Sequence, residues 1–227
     1  MTAHEVAGAL ADQAGRGLGF AVIDVETSGL DARVDRVVEF AVVRVDECGH
    51  PIDEWTTLVN PGVARVGPSR IHGITAADVR AAPTFAQVVG ELNQRLAGRV
   101  LVAHGATFDL DFLTNEYLRL GWAFPSDVPC LCTLKASITY QPGLRRRRLR
   151  DCCRAAGFSM GRGHSALGDA RATARLLAAY LARAEPMHLR LPVGALLVEW
   201  PCIPLSAVSP LPRGRHDGSW CVREIGQ

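Results

Sequence analysis

The chain has 227 residues, of which 48% are hydrophobic and 21% charged, and this composition is typical of a globular protein with one sizeable core. Its formal net charge is only +2, so no overall positive field indicates a nucleic-acid partner. No apolar run reaches the roughly 18 residues that a membrane span needs, and the N-terminus lacks the basic-then-apolar order of a signal peptide. We therefore expect a cytoplasmic protein without membrane contact.

The first sixty residues predict a small antiparallel sheet. Three apolar runs are typical of strands, at Phe20 to Val25, Val37 to Val45 and Glu54 to Val59. Turn-forming residues between these runs favour a meander, in which each strand pairs with the next. Glu39, inside the second run, is the one charged residue expected to be partly buried, and we expect it to be a structural carboxylate that is hydrogen-bonded near the sheet.

The first strand ends in two acidic residues, Asp24 and Glu26, ahead of a turn at Ser28 and Gly29. Successive strand side chains alternate between faces, so both carboxylates project from the same face. Two such carboxylates repel each other unless a divalent cation neutralises them, and oxygen ligands suit Mg²⁺ or Mn²⁺. An isolated pair at this spacing is more often an ordinary polar strand end, so the rest of the chain must decide.

The second half alternates helices with short strands. After a loop from Asn60 to about Ile74, the periodicity predicts three helices, at Thr84 to Leu96, Thr107 to Leu120 and Ala166 to Ala184. Thr75 and Thr84 are candidate helix caps. Two short strands are predicted between these helices, at Val100 to Ala103 and Cys130 to Leu134. This alternation predicts an α/β fold, a mixed β-sheet flanked by helices.

Seven cysteines and one arginine run allow competing interpretations. An odd cysteine count argues against a disulfide framework, and neither Cys130 with Cys132 nor Cys152 with Cys153 has zinc-ribbon spacing, so buried free thiols are expected. The run Leu144 to Arg150 is the densest positive charge in the chain. It can bind phosphates, or it can be the solvated start of a helix, and both can hold at once.

The composition predicts three parts. Residues 1–17 form an extension without chemical signals, residues 18–185 form the main domain, and residues 186–227 are a proline-rich extension. The last part can dock on the domain, pair with another subunit, or bind a partner protein.

Three short segments combine acids with histidines. They are DVET at 24–27, HGATFD at 104–109 and HSALGD at 164–169. In this order they resemble the three exonuclease motifs of the DEDDh, or DnaQ-like, nucleases, and the resemblance extends over roughly residues 18 to 185. It implies a ribonuclease H-like fold, two divalent metal ions, either Mg²⁺ or Mn²⁺, and removal of mononucleotides from the 3′ end of a nucleic acid.

The resemblance also implies roles for individual residues. Asp24 would touch both ions, Glu26 and Asp169 mainly the first, and Asp109 the second. His164 would take the proton from the attacking water, since an imidazole with an ordinary pKa of about 6.5 suits that task. Residues two apart on a helix point in different directions, so Asp109 and Asp111 cannot both face the same metal, and the family pattern selects Asp109. His104 would have a supporting role at most.

Substrate contacts follow from the same resemblance. The backbone of Thr27, Ser28 and Gly29 would hold the terminal nucleotide, and Leu30 would wedge against its base. His72 and Phe108 would lie along the bound strand. For Leu30 and Phe108, packing in the core is an alternative of at least equal weight.

The leading interpretation is a 3′-to-5′ exonuclease acting on DNA, of the proofreading or repair type, with a DNA polymerase subunit as a possible partner of the C-terminal extension. An exoribonuclease of the same family is the nearest alternative, because motif spacing does not reveal recognition of the 2′-OH. A non-catalytic module that binds nucleic acid or a polymerase is a third interpretation, but the intact acids and histidine disfavour it.

Overall fold

A computed structural model describes residues 19–63, 66–125, 128–161 and 164–183. The expectations for residues 1–17 and 186–227 therefore lie outside the described residues, as do Cys202 and Cys221. No helix among the described residues is long and apolar enough to cross a membrane.

Five strands form one mixed sheet in the order β3-β2-β1-β4-β5. Their bounds are β1 Phe20–Thr27, β2 Val37–Val45, β3 Pro51–Leu58, β4 Val100–Ala103 and β5 Cys130–Cys132. β1 pairs with β2 and β2 with β3 in antiparallel fashion, which confirms the predicted meander. β4 runs parallel to β1, and β5 runs parallel to β4. The sheet is thus mixed, as expected.

Seven helices are described around the sheet. They are α1 Ser69–His72, α2 Ala76–Arg80, α3 Phe85–Leu96, α4 Thr107–Arg119, α5 Thr133–Tyr140, α6 Leu149–Ala155 and α7 Ala166–Leu181. Thr75 and Thr84 each close a capping box at the start of α2 and α3, as their sequence positions indicated. The apolar positions of α3 are buried along one face, which confirms the predicted periodicity.

The alternation of side chains along β1 separates two cores. Ala21, Ile23 and Val25 pack on the face that α3 and α4 cover. Phe20 and Val22 pack on the opposite face, against the alanine- and leucine-rich side of α7. Asp24 and Glu26 continue the second set at spacing two, so β1 directs both acids toward the face that α7 covers.

The structure differs from the sequence prediction at three places. The loop expected from Asn60 to about Ile74 contains the short helix α1, Ser69–His72. The strand expected at Cys130 to Leu134 stops at Cys132, and α5 begins at once with Thr133. Cys152 and Cys153 are buried free thiols as expected, whereas Cys48 is exposed.

Candidate active site

Three carboxylates converge at the end of β1. Asp24, Glu26 and Asp169 each place an oxygen within 4.8 Å of the others. The first two come from β1, and the third comes from the first turn of α7, which packs across the same face of the sheet. An acid in the first turn of a helix is favoured by the helix dipole, and this partly offsets the cost of enclosing it.

His164 lies just before α7 and beside the last of these acids. Its Nδ1 is 3.5 Å from Oδ2 of Asp169, which is within ion-pair range but longer than a strong hydrogen bond. The side chain is 49% exposed, so the imidazole contacts solvent as well as the acid. Ser165 caps the helix by accepting a hydrogen bond from the Gly168 N–H at 3.2 Å, and this fixes the start of α7.

The middle motif adds a fourth acid. Asp109 lies in the first turn of α4 and is only 4% exposed. It is close enough to Asp24 to raise the pKa of that buried residue further. Asp111 is exposed on the same helix. The structure therefore places Asp109, and not Asp111, with the acids of β1.

Crowding and burial oppose ionisation of this group. Burial raises the pKa of Asp24 well above its ordinary value, and repulsion from Asp109 and Asp169 raises it further. Burial also raises the pKa of Glu26 to about 7, with repulsion from Asp169 as the next cause. The pKa of Asp169 is raised by burial as well. Three acids with raised pKa values, with the buried Asp109 beside them, make a site that a cation would stabilise.

Glu39 joins the sheet to the helix that carries the third motif. It lies opposite Glu26 in the β1–β2 pairing. Its Oε2 accepts a hydrogen bond from the backbone N–H of Ala166 at 2.9 Å, and its Oε1 accepts one from Thr56 Oγ1 at 3.3 Å. The expected structural carboxylate is confirmed, but sequence reasoning missed its attachment to α7. Strand spacing alone does not reveal a partner 127 residues away.

The turn after β1 is built by close backbone packing. The Ser28 hydroxyl donates to Asp35 Oδ1 at 3.1 Å and accepts from the Arg36 N–H at 3.0 Å, so this side chain is committed to the turn. Gly29 lies so near Asp35 that a Cβ would come within 2.3 Å of its carboxylate. A Cβ on Gly67, whose φ is 85°, would come within 2.8 Å of the Ser28 backbone. Larger residues at either glycine would displace the turn.

Three residues expected to contact the substrate lie in different environments. Leu30 is 87% exposed, so core packing is wrong for this residue. Phe108 is 37% exposed, and its ring lies 4.9 Å from that of Phe112, which makes it part surface and part core. His72 is buried, and its Nδ1 accepts a hydrogen bond from the Ile74 N–H at 3.1 Å. Contact of Leu30, Phe108 and His72 with a bound strand stays a prediction.

The donor set at the acids fits a hard divalent cation. All the acidic side chains offer oxygen, and the three nearest are already gathered within 4.8 Å. A second gathering of possible ligands, Asp46, Cys48 and His50, lies in the exposed turn between β2 and β3. There Asp46 Oδ1 accepts from the backbone N–H groups of Cys48 and His50, which is the ordinary hydrogen bonding of a turn.

Comparison with known proteins agrees with the geometry. Residues 21–177 match the family model described as "Exonuclease". The chain is 34% identical over 159 residues to a PolC-type DNA polymerase III of Oceanobacillus iheyensis, covering 70% of this chain and 11% of the relative. It is 34% identical over 160 residues to the DNA polymerase III epsilon subunit of Aquifex aeolicus, covering 69% of this chain and 77% of that protein.

Solved structures with the same fold include exonuclease I, with a TM-score of 0.64 and 21% identity over 74% of this chain and 42% of that one. This likeness confirms the ribonuclease H-like α/β fold. The chain spans about a tenth of the length of the PolC-type relatives that it matches. The family match covers well over half of this chain, and the chain therefore belongs to the DnaQ-like exonuclease family.

Proposed function

We propose that this protein is a metal-dependent 3′-to-5′ exonuclease that releases nucleoside monophosphates from the 3′ ends of DNA. The observation that carries the proposal is the convergence of Asp24, Glu26 and Asp169 within 4.8 Å, with His164 against Asp169. The similarity to DNA polymerase III proteins supports DNA as the substrate class.

Asp24, Glu26, Asp109 and Asp169 would hold the metal ions, and Mg²⁺ or Mn²⁺ suits their oxygens. Ions bound there would lower the pKa of the attacking water and stabilise the departing 3′ oxygen. Because burial and mutual repulsion raise the pKa of Asp24 and Glu26, these residues must release protons as they take up metal. Metal uptake by this site should therefore strengthen as the pH rises.

His164 would act as the general base. The attacking water forms a bond to phosphorus, its proton passes to the imidazole, and the bond from phosphorus to the 3′ oxygen breaks. Since His164 is half exposed and Asp169 is its neighbour, the carboxylate can orient the ring and stabilise the imidazolium that forms. The terminal nucleotide would lie against the backbone of Thr27 to Gly29, with the exposed Leu30 against its base.

The direction and substrate can be tested with matched oligonucleotides. Single-stranded DNA, 3′-recessed duplex DNA and RNA of the same sequence, each labelled at the 5′ end, would be digested with Mg²⁺, Mn²⁺ or EDTA. We expect a ladder that shortens stepwise with either metal, faster on DNA than on RNA, and no ladder with EDTA. Faster digestion of RNA would assign the exoribonuclease alternative instead. Binding without any shortening would favour the non-catalytic module.

We also propose that residues 18–185 form the catalytic domain and that residues 186–227 bind a partner, such as a DNA polymerase subunit. The family match, over residues 21–177, supports the proposed bounds of the catalytic domain, residues 18–185. Truncation after Glu185 should preserve cleavage of short substrates and abolish co-purification of the partner. A truncated chain that fails to fold would place the extension in the core or in a subunit interface.

A further inference from the structure

The arginine run at residues 145–150 contains two kinds of arginine. Arg147 is half-buried, whereas its neighbours are exposed, namely Arg145, Arg146, Arg148 and Arg150. Some exposed arginines elsewhere in the described chain pair with carboxylates, as in Arg33 with Asp31 and Arg171 with Glu54, whereas others, such as Arg70, form no salt bridge there. Within the described residues, the four exposed arginines of the run form no salt bridge. Their charges are thus left to solvent.

The half-buried Arg147 anchors the run to the end of helix α5. Its Nη1 donates to the Ser137 hydroxyl at 3.0 Å and to the Gln141 carbonyl at 3.1 Å, at the C-terminal end of α5. A guanidinium that donates its hydrogen bonds to these oxygens is not available to bind a ligand. Such contacts instead give the segment a fixed path over the surface, with its other arginines on the outside.

His104 connects the same segment to the end of the sheet where the acids lie. Its Nε2 lies 2.8 Å from the carbonyl oxygen of Arg147, and its Nδ1 lies 2.9 Å from Thr133 Oγ1. A carbonyl only accepts, so Nε2 carries the hydrogen and the ring orientation is set from both sides. His104 directly follows β4, the strand that runs parallel to β1 and its acids. The arginine run is therefore held by a hydrogen bond near the C-terminal ends of β1 and β4, where the carboxylates lie.

Arg150 brings positive charge toward the acids themselves. Burial raises the pKa of Asp169, and the charge of Arg150 offsets part of that rise together with His164. The charge of Arg150 therefore lies within electrostatic range of Asp169. Through Arg150, the run therefore has a charge near the third motif.

We propose that Arg145, Arg146, Arg148 and Arg150 bind the phosphate backbone of the strand whose 3′ end enters the site, and that His104 and Arg147 are positioning residues for them. This inference rests on the proposed function. Guanidinium groups bind phosphates bidentately and release counterions, which gives affinity without sequence preference. Such a surface suits an enzyme that must hold a strand while its end is shortened by one nucleotide at a time.

The test variant replaces three of the arginines together, Arg145→Gln, Arg146→Gln and Arg148→Gln. Cleavage of a single-stranded DNA of about 20 nucleotides would be compared with cleavage of thymidine 5′-monophosphate p-nitrophenyl ester, which has one nucleotide and no upstream phosphates. We expect the preference in kcat/KM for the long strand to fall about tenfold. The slope of log KM against log salt should decrease in magnitude by up to about 2, at roughly 0.7 for each single-strand phosphate contact.

The control variant carries Arg80→Gln and Arg171→Gln, two exposed arginines toward the β3 edge of the sheet, where the Arg80 backbone carbonyl accepts from Asn60 and the Arg171 side chain pairs with Glu54. It removes two positive charges, against three in the test variant, and should leave both the preference and the salt slope unchanged. If the test variant behaves like this control, the exposed arginines do not bind substrate phosphates. The proposed exonuclease activity would be unaffected by that result. If the wild type cleaves neither substrate, the proposed function fails. Equilibrium binding of the DNA in EDTA would then still test the surface, since the test variant should bind more weakly than the control.

Discussion

The Glu39 carboxylate accepts a hydrogen bond from the backbone N–H of Ala166 at 2.9 Å, which links the second strand to the start of α7. Ala166 lies between His164 and Asp169, so this one bond bears on the placement of both. It also brings a further negative charge beside Glu26, its partner across the strand pair.

Glu39→Ala should reduce kcat more than Glu39→Gln does. The alanine leaves the Ala166 N–H without its acceptor, at a cost of about 1–3 kcal/mol, and the start of α7 loses its anchor. Glutamine keeps an acceptor oxygen and removes only the charge. The comparison requires kcat at saturating Mg²⁺ and thermal unfolding of both variants. Equal kcat values for alanine and glutamine would show that the hydrogen bond does not position the motif.

The metal-free protein should lose stability as the pH rises through the acid to neutral range. Glu26 titrates near 4.5 when unfolded and near 7 when folded, so the folded state binds more protons between these values. Stability is therefore greatest below about pH 4.5 as far as this group is concerned, and it declines up to about pH 7. Melting temperatures in EDTA would show this, and Glu26→Gln should make the decline shallower. The same slope for the variant would contradict the raised pKa.

Asp109→Asn should lower kcat/KM by at least about 100-fold in Mg²⁺, beyond the roughly 10–100-fold typical for loss of an outer-shell partner. The physical reason is its burial beside Asp24, where its charge would help to hold the proposed cation. Asp111→Asn is the matched control, because it removes an exposed acid from the same helix turn. Equal losses in the two variants would mean that helix charge, and not the site, is responsible.

Glu116→Ala should destabilise the fold by about 3 kcal/mol, because it leaves the partly buried Arg36 without its counter-charge. Glu116 is 1% exposed and accepts hydrogen bonds from Arg36 Nε and Nη2, each at 2.8 Å. Urea unfolding would measure the change. Asp31→Ala, which removes an exposed partner of Arg33, should have a much smaller effect. A similar effect for both would refute the role of burial.

The sequence predicted those helices and strands whose apolar residues recur at a regular spacing. The apolar face of α3 and the run of β2 are examples, since both bury side chains at regular spacing. Helix α5 was missed because its buried residues are the polar Thr133 and Ser137, which give no apolar stripe. Helix α1 has only four residues and no period to detect.

The candidate site was predictable because its acids lie at fixed offsets within three motifs. Interactions between distant segments were not, because they depend on the packed fold. The bond from Glu39 to Ala166 and the contact of His104 with the Arg147 carbonyl are of this kind. The inward turn of Arg147 also separates it from neighbours that look identical in the sequence.

The most direct test of the central claim is digestion of 5′-labelled single-stranded DNA by the wild type and by Asp24→Asn. Burial and repulsion from the other carboxylates of the site together raise the pKa of Asp24. A cation held there would depend most directly on the charge of this acid. We predict stepwise shortening from the 3′ end by the wild type in Mg²⁺, and none above the EDTA background by a correctly folded variant. Shortening by Asp24→Asn at the wild-type rate would contradict the assignment of the site.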